Sequence, residues 1–142
     1  MADGDMRRVT LERLDEGGYL ARNARGLELR FGSFADDAFS PVELLLAAIA
    51  GCTAVDVDVV TGRRAKAEEF GATIEARYVR DDEGNRLEDV ELTFRLRFPD
   101  GPEGDKAREV APRALRTSHD RTCTVSRTIE RGTPIRASLD LG

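Results

Sequence analysis

Two cysteines, Cys52 and Cys123, are the side chains of this sequence best suited to covalent chemistry. A cysteine thiolate attacks disulfides and peroxides, and the pKa of the thiol sets how much thiolate is present. The two cysteines lie far apart in the sequence and neither belongs to a CxxC motif, so their spacing does not show whether they meet. The residues alone leave two interpretations open, a redox pair and two buried structural thiols.

Cys52 lies in the most apolar stretch of the chain, residues 40–57, with the sequence SPVELLLAAIAGCTAVDV. If this stretch is a helix, Cys52 is about twelve residues from its start, too far to gain from the helix dipole. Asp56, one turn further on, shares its side of the helix, and a nearby carboxylate disfavours a thiolate. The local sequence therefore predicts an unreactive Cys52, and an activating base or cation, such as an arginine, has to come from elsewhere.

His119 is the only histidine of the chain, and it lies four residues before Cys123. One histidine and one cysteine make only half of a zinc site, so the sequence predicts no metal centre. A lone histidine can act as a general base. Near the end of a helix, however, a solvated capping role is the commoner one, and we expect that role for His119.

The apolar stretch begins with strong helix-start signals. Ser40 can cap the helix, Pro41 suits its first position, and Glu43 completes a capping box. The helix is predicted to run to about Thr61, a length of roughly 30 Å. Because it is apolar on nearly every side between residues 44 and 55, we expect a central, buried helix.

The rest of the chain predicts short and long strands followed by helices. Alternating apolar residues indicate three short strands between residues 9 and 31, and two long antiparallel strands over 72–78 and 90–98. Loops are expected over 34–40 and 99–105, helices over 106–118 and 121–132, and a last strand over 135–139. The predicted order is βββ-α-ββ-α-α-β, an α+β fold.

Composition limits the class of protein. A length of 142 residues predicts a single domain over 1–142, and the net charge of −5 argues against nucleic acid or an anionic membrane as the main partner. The longest uncharged run, Leu44 to Val55, has about 12 residues, too few to span a bilayer. The first residues lack the apolar core of a signal peptide, so we expect a cytoplasmic protein. In that compartment the cysteines are not expected to form a structural staple.

Two segments of the chain resemble the osmotically inducible protein C and organic hydroperoxide resistance family (OsmC/Ohr). The stretch SPVELLLAAIAGCTAVDV is similar to the central helix of that family, with a proline eleven residues before the cysteine and small residues just ahead of it. The segment CTVSRTIERGTPI, from Cys123 onward, is similar to the second cysteine segment. The predicted order of elements also fits, so the resemblance covers most of the chain.

The resemblance implies a fold, an assembly and a reaction. The fold is an α+β intertwined homodimer with the central helices packed in the middle. In the implied reaction the Cys52 thiolate attacks an organic hydroperoxide and becomes a sulfenic acid, which Cys123 converts to a disulfide. An external dithiol, often lipoyl-linked in the family, then reduces the disulfide. The resemblance implies no metal, haem or flavin.

The chain departs from the family pattern around the first cysteine. Val42 occupies the position ten residues before Cys52 where family peroxidases carry a glutamate that holds an activating arginine. That arginine comes from a turn near the N-terminus, and here Arg22 and Arg25 are the candidates. Thr124 replaces the proline that usually follows the second cysteine. These departures keep two alternatives open: a non-catalytic dimer that binds a small amphipathic ligand, and a purely structural protein.

Overall fold

A computed structural model of the chain describes residues 4–33 and 37–142. The described residues group into two compact units, residues 1–45 and residues 46–142. The loop predicted over 34–40 lies partly outside the described residues. The single domain over 1–142 stays a prediction.

The first unit contains a three-stranded antiparallel sheet. Its strands are β1 (Val9–Asp15), β2 (Gly18–Asn23) and β3 (Glu28–Gly32), in the order β1-β2-β3. Tight turns join them, and the side chain of Asn23 accepts the backbone N–H groups of Arg25 and Leu27 in the second turn. The three short strands predicted between residues 9 and 31 are confirmed.

Helix α1 (Pro41–Gly62) follows, with the predicted capping box at its start. The backbone N–H of Ser40 donates to Glu43 Oε1 at 2.9 Å, and the N–H of Glu43 donates to Ser40 Oγ at 3.2 Å. Glu43 is therefore used to cap the helix. Within one chain α1 buries one face, through Thr53, Val57 and Thr61, which recur at four-residue intervals.

By length and composition alone, α1 is long and apolar enough to cross a membrane. An 18-residue window within its 22 residues has a mean hydropathy of 1.9, although the uncharged run within it is shorter. The core helix of a water-soluble protein meets the same criterion. The hydropathy of α1 therefore does not separate these two roles.

The second unit contains a long antiparallel hairpin made of β4 (Glu69–Val79) and β5 (Arg86–Arg97), as predicted. The Phe70 and Phe94 rings pack edge to face across it, with centroids 5.9 Å apart. At the turn, the Arg86 guanidinium pairs with Asp81 at 2.7 Å and with Glu88 at 2.6 Å. These contacts fix the register of the two strands.

Two helices and a turn complete the second unit. Helix α2 (Pro102–Thr117) runs into a π-helical turn over Ser118–Thr122, and helix α3 (Thr124–Glu130) follows. We call Ser118–Thr122 the π-turn. Helix α2 begins earlier than predicted because Pro102, placed in the expected loop, suits the first position of a helix.

The predicted last strand over 135–139 is wrong for the isolated chain. Residues 133–142 form no helix or strand and are exposed, with Ile135 at 92% and Leu139 at 85%. A strand requires a neighbouring strand edge that satisfies its backbone hydrogen bonds. The alternating apolar pattern is present, but the described part of one chain does not supply that edge.

Candidate active site

Helix α1 places Cys52 at the border of its buried face. Thr53, the next residue, is 3% exposed and points to the Cys123 segment, whereas Cys52 is partly exposed. Both cysteines are free thiols. The sulfur that an incoming molecule can reach is therefore that of Cys52.

Cys123 occupies the N-cap of α3 and is completely buried. Its backbone N–H donates to the carbonyl oxygen of Ser118 at 2.8 Å, which closes the π-turn. Its sulfur accepts hydrogen bonds from Thr53 Oγ1 and from the backbone N–H of Ser126, both at 3.4 Å. The hydroxyl of Ser126 lies 3.2 Å from the same sulfur.

The two thiols lie close enough for each to shift the pKa of the other, although they lie far apart in the sequence. Burial raises the pKa of Cys52, and the neighbouring Cys123 thiol raises it further, against backbone N–H groups of Val125 and Thr124 that lower it. Burial also acts to raise the pKa of Cys123. There the hydrogen bonds from Ser126, Thr53 and Cys52 outweigh it, and the pKa of Cys123 is lowered.

The structure thus brings together the two cysteines singled out from the sequence. Their thiols differ in how readily they ionise. Cys123 ionises more readily, while Cys52 is the more exposed sulfur. The sequence predicted a disfavoured Cys52 thiolate because of Asp56. The direction agrees, but burial and Cys123 are the causes that raise the pKa.

Asp56 makes a different contact from the one expected. Its Oδ2 atom accepts hydrogen bonds from Ser118 Oγ at 2.7 Å and from Thr122 Oγ1 at 2.8 Å. These are the first and last residues of the π-turn. The carboxylate on α1 therefore joins the helix to the turn that leads into Cys123.

His119 links the π-turn to α3 through an ion pair. Its Nε2 atom lies 2.7 Å from Glu130 Oε1, and its Nδ1 atom lies 3.1 Å from Asp120 Oδ1. Hydrogen bonds with Asp120 and Glu130 raise the pKa of His119. The ring is about half exposed, in keeping with the solvated role expected from the sequence.

Arg22 and Arg25 belong to the first unit. Arg22 lies on β2 and its Nη2 atom pairs with Glu12 at 3.4 Å and with Glu28 at 3.3 Å. Arg25 is exposed in the turn after β2, where its backbone N–H donates to Asn23. Because these arginines and the cysteines lie in different units, the stabilisation of a Cys52 thiolate by Arg22 or Arg25 stays a prediction.

A largely apolar pocket of about 400 Å³ lies within the second unit. Two of the residues that bond Cys123, Thr53 and Ser126, line it, and so does the pair of His119 and Glu130. Its apolar walls are formed by Ile49, Val90, Leu92, Leu115 and Ile129. The pocket offers an apolar molecule a place next to the polar groups around the buried sulfur.

Within residues 4–33 and 37–142, no group of three or more His, Cys, Asp and Glu side chains is placed to hold a metal ion. Sequence reasoning missed the roles of Thr53, Ser118, Thr122 and Ser126. The concentration of small hydroxyl residues around Cys123 was the available signal, since such side chains can donate to a sulfur.

Residues 34–138 match the family model described as OsmC-like protein. The chain belongs to the OsmC-like family. An uncharacterized protein of Mycobacterium tuberculosis is 28% identical over 139 residues, which cover 96% of this chain and 99% of the relative. An uncharacterized protein of Mycobacterium bovis is likewise 28% identical over 139 residues, which cover 96% of this chain and 99% of the relative.

Solved structures share the fold. A hypothetical protein from Aquifex aeolicus superposes with a TM-score of 0.72 and 22% identity, over 92% of this chain and 91% of that one. The organic hydroperoxide resistance protein OhrB of Bacillus subtilis superposes with a TM-score of 0.52 and 19% identity, over 91% and 93%. The order of strands and helices in this α+β chain thus matches that of OsmC-like and hydroperoxide resistance proteins.

Proposed function

We propose that this chain is a thiol-dependent peroxidase that reduces organic hydroperoxides with Cys52 and Cys123. The observation that carries the proposal is the proximity of the two thiols, of which one is partly exposed to incoming molecules and the other is completely buried. An OsmC-like fold does not by itself require this proximity. Several proteins with this fold are described as hydroperoxide resistance proteins, which supports the same reading.

The reaction begins with the exposed sulfur. Cys52 releases its proton to solvent, which leaves a thiolate at the accessible position. That thiolate attacks the terminal oxygen of the hydroperoxide, the O–O bond breaks, and the alkoxide leaves and takes up a proton. Cys52 is now a sulfenic acid and the product is an alcohol.

The second thiol completes the cycle. The sulfur of Cys123 attacks the sulfur of Cys52, the S–O bond breaks, and hydroxide leaves with the proton of Cys123 as water. An external dithiol of the reducing cytoplasm then exchanges with the disulfide and restores both thiols while it is oxidised itself. In this proposal Arg22 or Arg25 adds positive charge near Cys52 and stabilises its thiolate.

The test is a single turnover with one equivalent of an alkyl hydroperoxide. Mass spectrometry should show that both thiols of one chain are lost together as a disulfide forms. Cys52→Ser should abolish hydroperoxide consumption, and Cys123→Ser should permit one turnover that stops at the sulfenic acid. If wild type and Cys52→Ser consume hydroperoxide at the same slow rate, the proposal is wrong.

We also propose that the protein is a homodimer, built on the exposed face of α1. Ala48, Gly51, Val55 and Val59 lie on this face, and the two valines are 63% and 52% exposed. On the other face of the helix, Val57 is 2% exposed. A contiguous apolar surface of this kind is typical of an interface.

Sedimentation of the purified protein tests the dimer. The wild type should have the mass of two chains, and Val55→Glu should shift it towards one chain because the charge would be buried in the interface. Asp82→Asn, an exposed change in the turn between β4 and β5, is the control outside this face. A wild-type protein that sediments as one chain contradicts this proposal.

The apolar pocket favours a second candidate, a binding protein for a small amphipathic molecule. Its aliphatic walls and its polar end at Thr53, His119 and Glu130 suit a ligand with one polar group. On this alternative the cysteines are structural. Leu92→Trp, which fills the pocket, should then abolish ligand binding while both thiols remain unreactive towards hydroperoxide.

A further inference from the structure

Asp56 connects α1 to both ends of the π-turn. One carboxylate oxygen, Oδ2, accepts the hydroxyl of Ser118 at 2.7 Å and the hydroxyl of Thr122 at 2.8 Å. Hydrogen bonds to an ionised acceptor are roughly twice as strong as those between neutral groups. Ser118 is completely buried, so its hydroxyl depends on this partner.

The two hydroxyl residues control where Cys123 lies. The carbonyl oxygen of Ser118 accepts the backbone N–H of Cys123 at 2.8 Å, and Thr122 directly precedes Cys123 in the chain. Three residues before Asp56, Thr53 donates to the Cys123 sulfur at 3.4 Å. One face of α1 therefore contacts the beginning of the π-turn, its end, and the sulfur that follows it.

Cys52 lies on α1 as well, one turn before Asp56. The helix thus carries one sulfur and, through Asp56 and Thr53, holds the segment that carries the other. We propose that Asp56 is a positioning residue that fixes the Cys123 sulfur beside Cys52 so that the disulfide between them closes. The proposal rests on the proposed function for the peroxide step, but disulfide closure can be measured without it.

Glutathione disulfide provides that measurement. Cys52 displaces one glutathione and forms a mixed disulfide, and Cys123 then displaces the second glutathione, so two protein thiols become one disulfide and two molecules of glutathione are released. The equilibrium ratio gives the effective concentration of Cys123 at Cys52. This quantity reports how well the two sulfurs are aligned.

Four variants separate positioning from stability. Asp56→Ala removes the acceptor, and Asp56→Asn keeps an oxygen but loses the charge. Asp58→Ala is the matched control, since Asp58 is exposed on the same helix. Phe98→Leu is the stability control, because it weakens a core cluster with Ala65 and Ala107 that does not include the π-turn.

We expect Asp56→Ala to lower the effective concentration on the order of ten-fold, as for the loss of hydrogen bonds to a charged acceptor, and Asp56→Asn to lower it less. Asp58→Ala and Phe98→Leu should leave it unchanged. In the single turnover with hydroperoxide, Asp56→Ala should form the sulfenic acid at the wild-type rate and then accumulate it, which a sulfenic-acid trapping reagent detects.

If Asp56→Ala does not fold, Thr122→Val replaces it, because Thr122 is exposed and valine has nearly the same shape. This variant should lower the effective concentration several-fold, as for one lost hydrogen bond. An effective concentration equal to that of the Asp58→Ala or Phe98→Leu protein overturns the proposal, as does a wild type that forms no disulfide with glutathione. If Asp56→Ala lowers the effective concentration but the wild type consumes no hydroperoxide, the positioning role of Asp56 is supported and the proposed peroxidase activity is contradicted.

Discussion

The two cysteines of this chain lie near each other in the fold, yet their surroundings differ in almost every respect. Cys52 lies within a long helix, is partly exposed, and has a raised pKa. Cys123 lies at a helix N-cap, is fully buried, and has a lowered pKa because Ser126, Thr53 and Cys52 donate to it. Accessibility and ease of ionisation therefore belong to different sulfurs.

This difference fits separate roles for the two sulfurs, with Cys52 as the attacking and Cys123 as the resolving thiol. Burial alone would make Cys123 the harder thiol to ionise, so its lowered pKa measures the strength of the surrounding hydrogen bonds. Negative charge is therefore more stable on the buried sulfur, whereas the sulfur that a substrate can reach holds its proton more tightly. A readily ionised Cys123 suits the resolving step, whereas a Cys52 thiolate requires stabilisation from outside this pair, such as the proposed arginine.

Removing Cys123 should produce the largest change at Cys52. The hydrogen bond and the charge of Cys123 both raise the pKa of Cys52, so Cys123→Ala should lower it. Alkylation of Cys52 by iodoacetamide near neutral pH should become faster, on the order of ten-fold, because the rate follows the thiolate fraction. The pH dependence of the rate, followed by mass spectrometry, gives the pKa directly.

The control for this experiment is alkylation of both proteins under denaturing conditions, where Cys52 should react at one rate. In the folded state the opposite variant, Cys52→Ala, should raise the pKa of Cys123 because a donor is lost. Equal alkylation of Cys52 with and without Cys123 would show that the two thiols do not influence each other.

Removing the Ser126 hydroxyl should have a smaller effect on Cys123. Ser126→Ala should raise the pKa of Cys123 and reduce its thiolate population near neutral pH about five-fold, which corresponds to ~1 kcal/mol for one hydrogen bond. Ultraviolet absorbance of the thiolate, recorded against pH, measures the change. Thr128→Ala, which removes an exposed hydroxyl from the same helix, should leave the titration unchanged.

The sequence was sufficient for the elements that depend on local patterns. Apolar alternation predicted the long hairpin, and Ser40, Pro41 and Glu43 predicted the start of α1. Helix angles also placed Asp56 beside Cys52. They could not show that the carboxylate bonds Ser118 and Thr122, because those residues approach α1 only through the tertiary fold.

The last strand and the proximity of the two thiols are two features that the sequence alone could not settle. Alternating residues over 135–139 predict a strand, but strand formation depends on an edge that the described part of the chain does not supply. For Cys52 and Cys123, the distance along the sequence was uninformative, and only the resemblance to a family suggested that they meet. Local patterns predict the type of element, whereas pairing between distant residues requires the fold.

The smallest expected effect concerns His119, at the edge of the Cys123 segment. Its pKa is raised above the ordinary 6.5 by Asp120 and Glu130, so the folded state binds the proton more tightly than the unfolded state. The ion pair should contribute fully to the free energy of unfolding below pH 6.5. Its contribution should disappear as the pH rises through the raised pKa.

Urea denaturation of wild type and His119→Gln at acidic and alkaline pH measures this contribution. Because the ring is about half exposed, we expect a difference of no more than about 0.5 kcal/mol, present at acidic pH only. When Glu130→Gln is present as well, His119→Gln should change the free energy of unfolding at acidic pH by less. A pH-independent difference would mean that His119 stabilises α3 by packing and not by the charge of this pair.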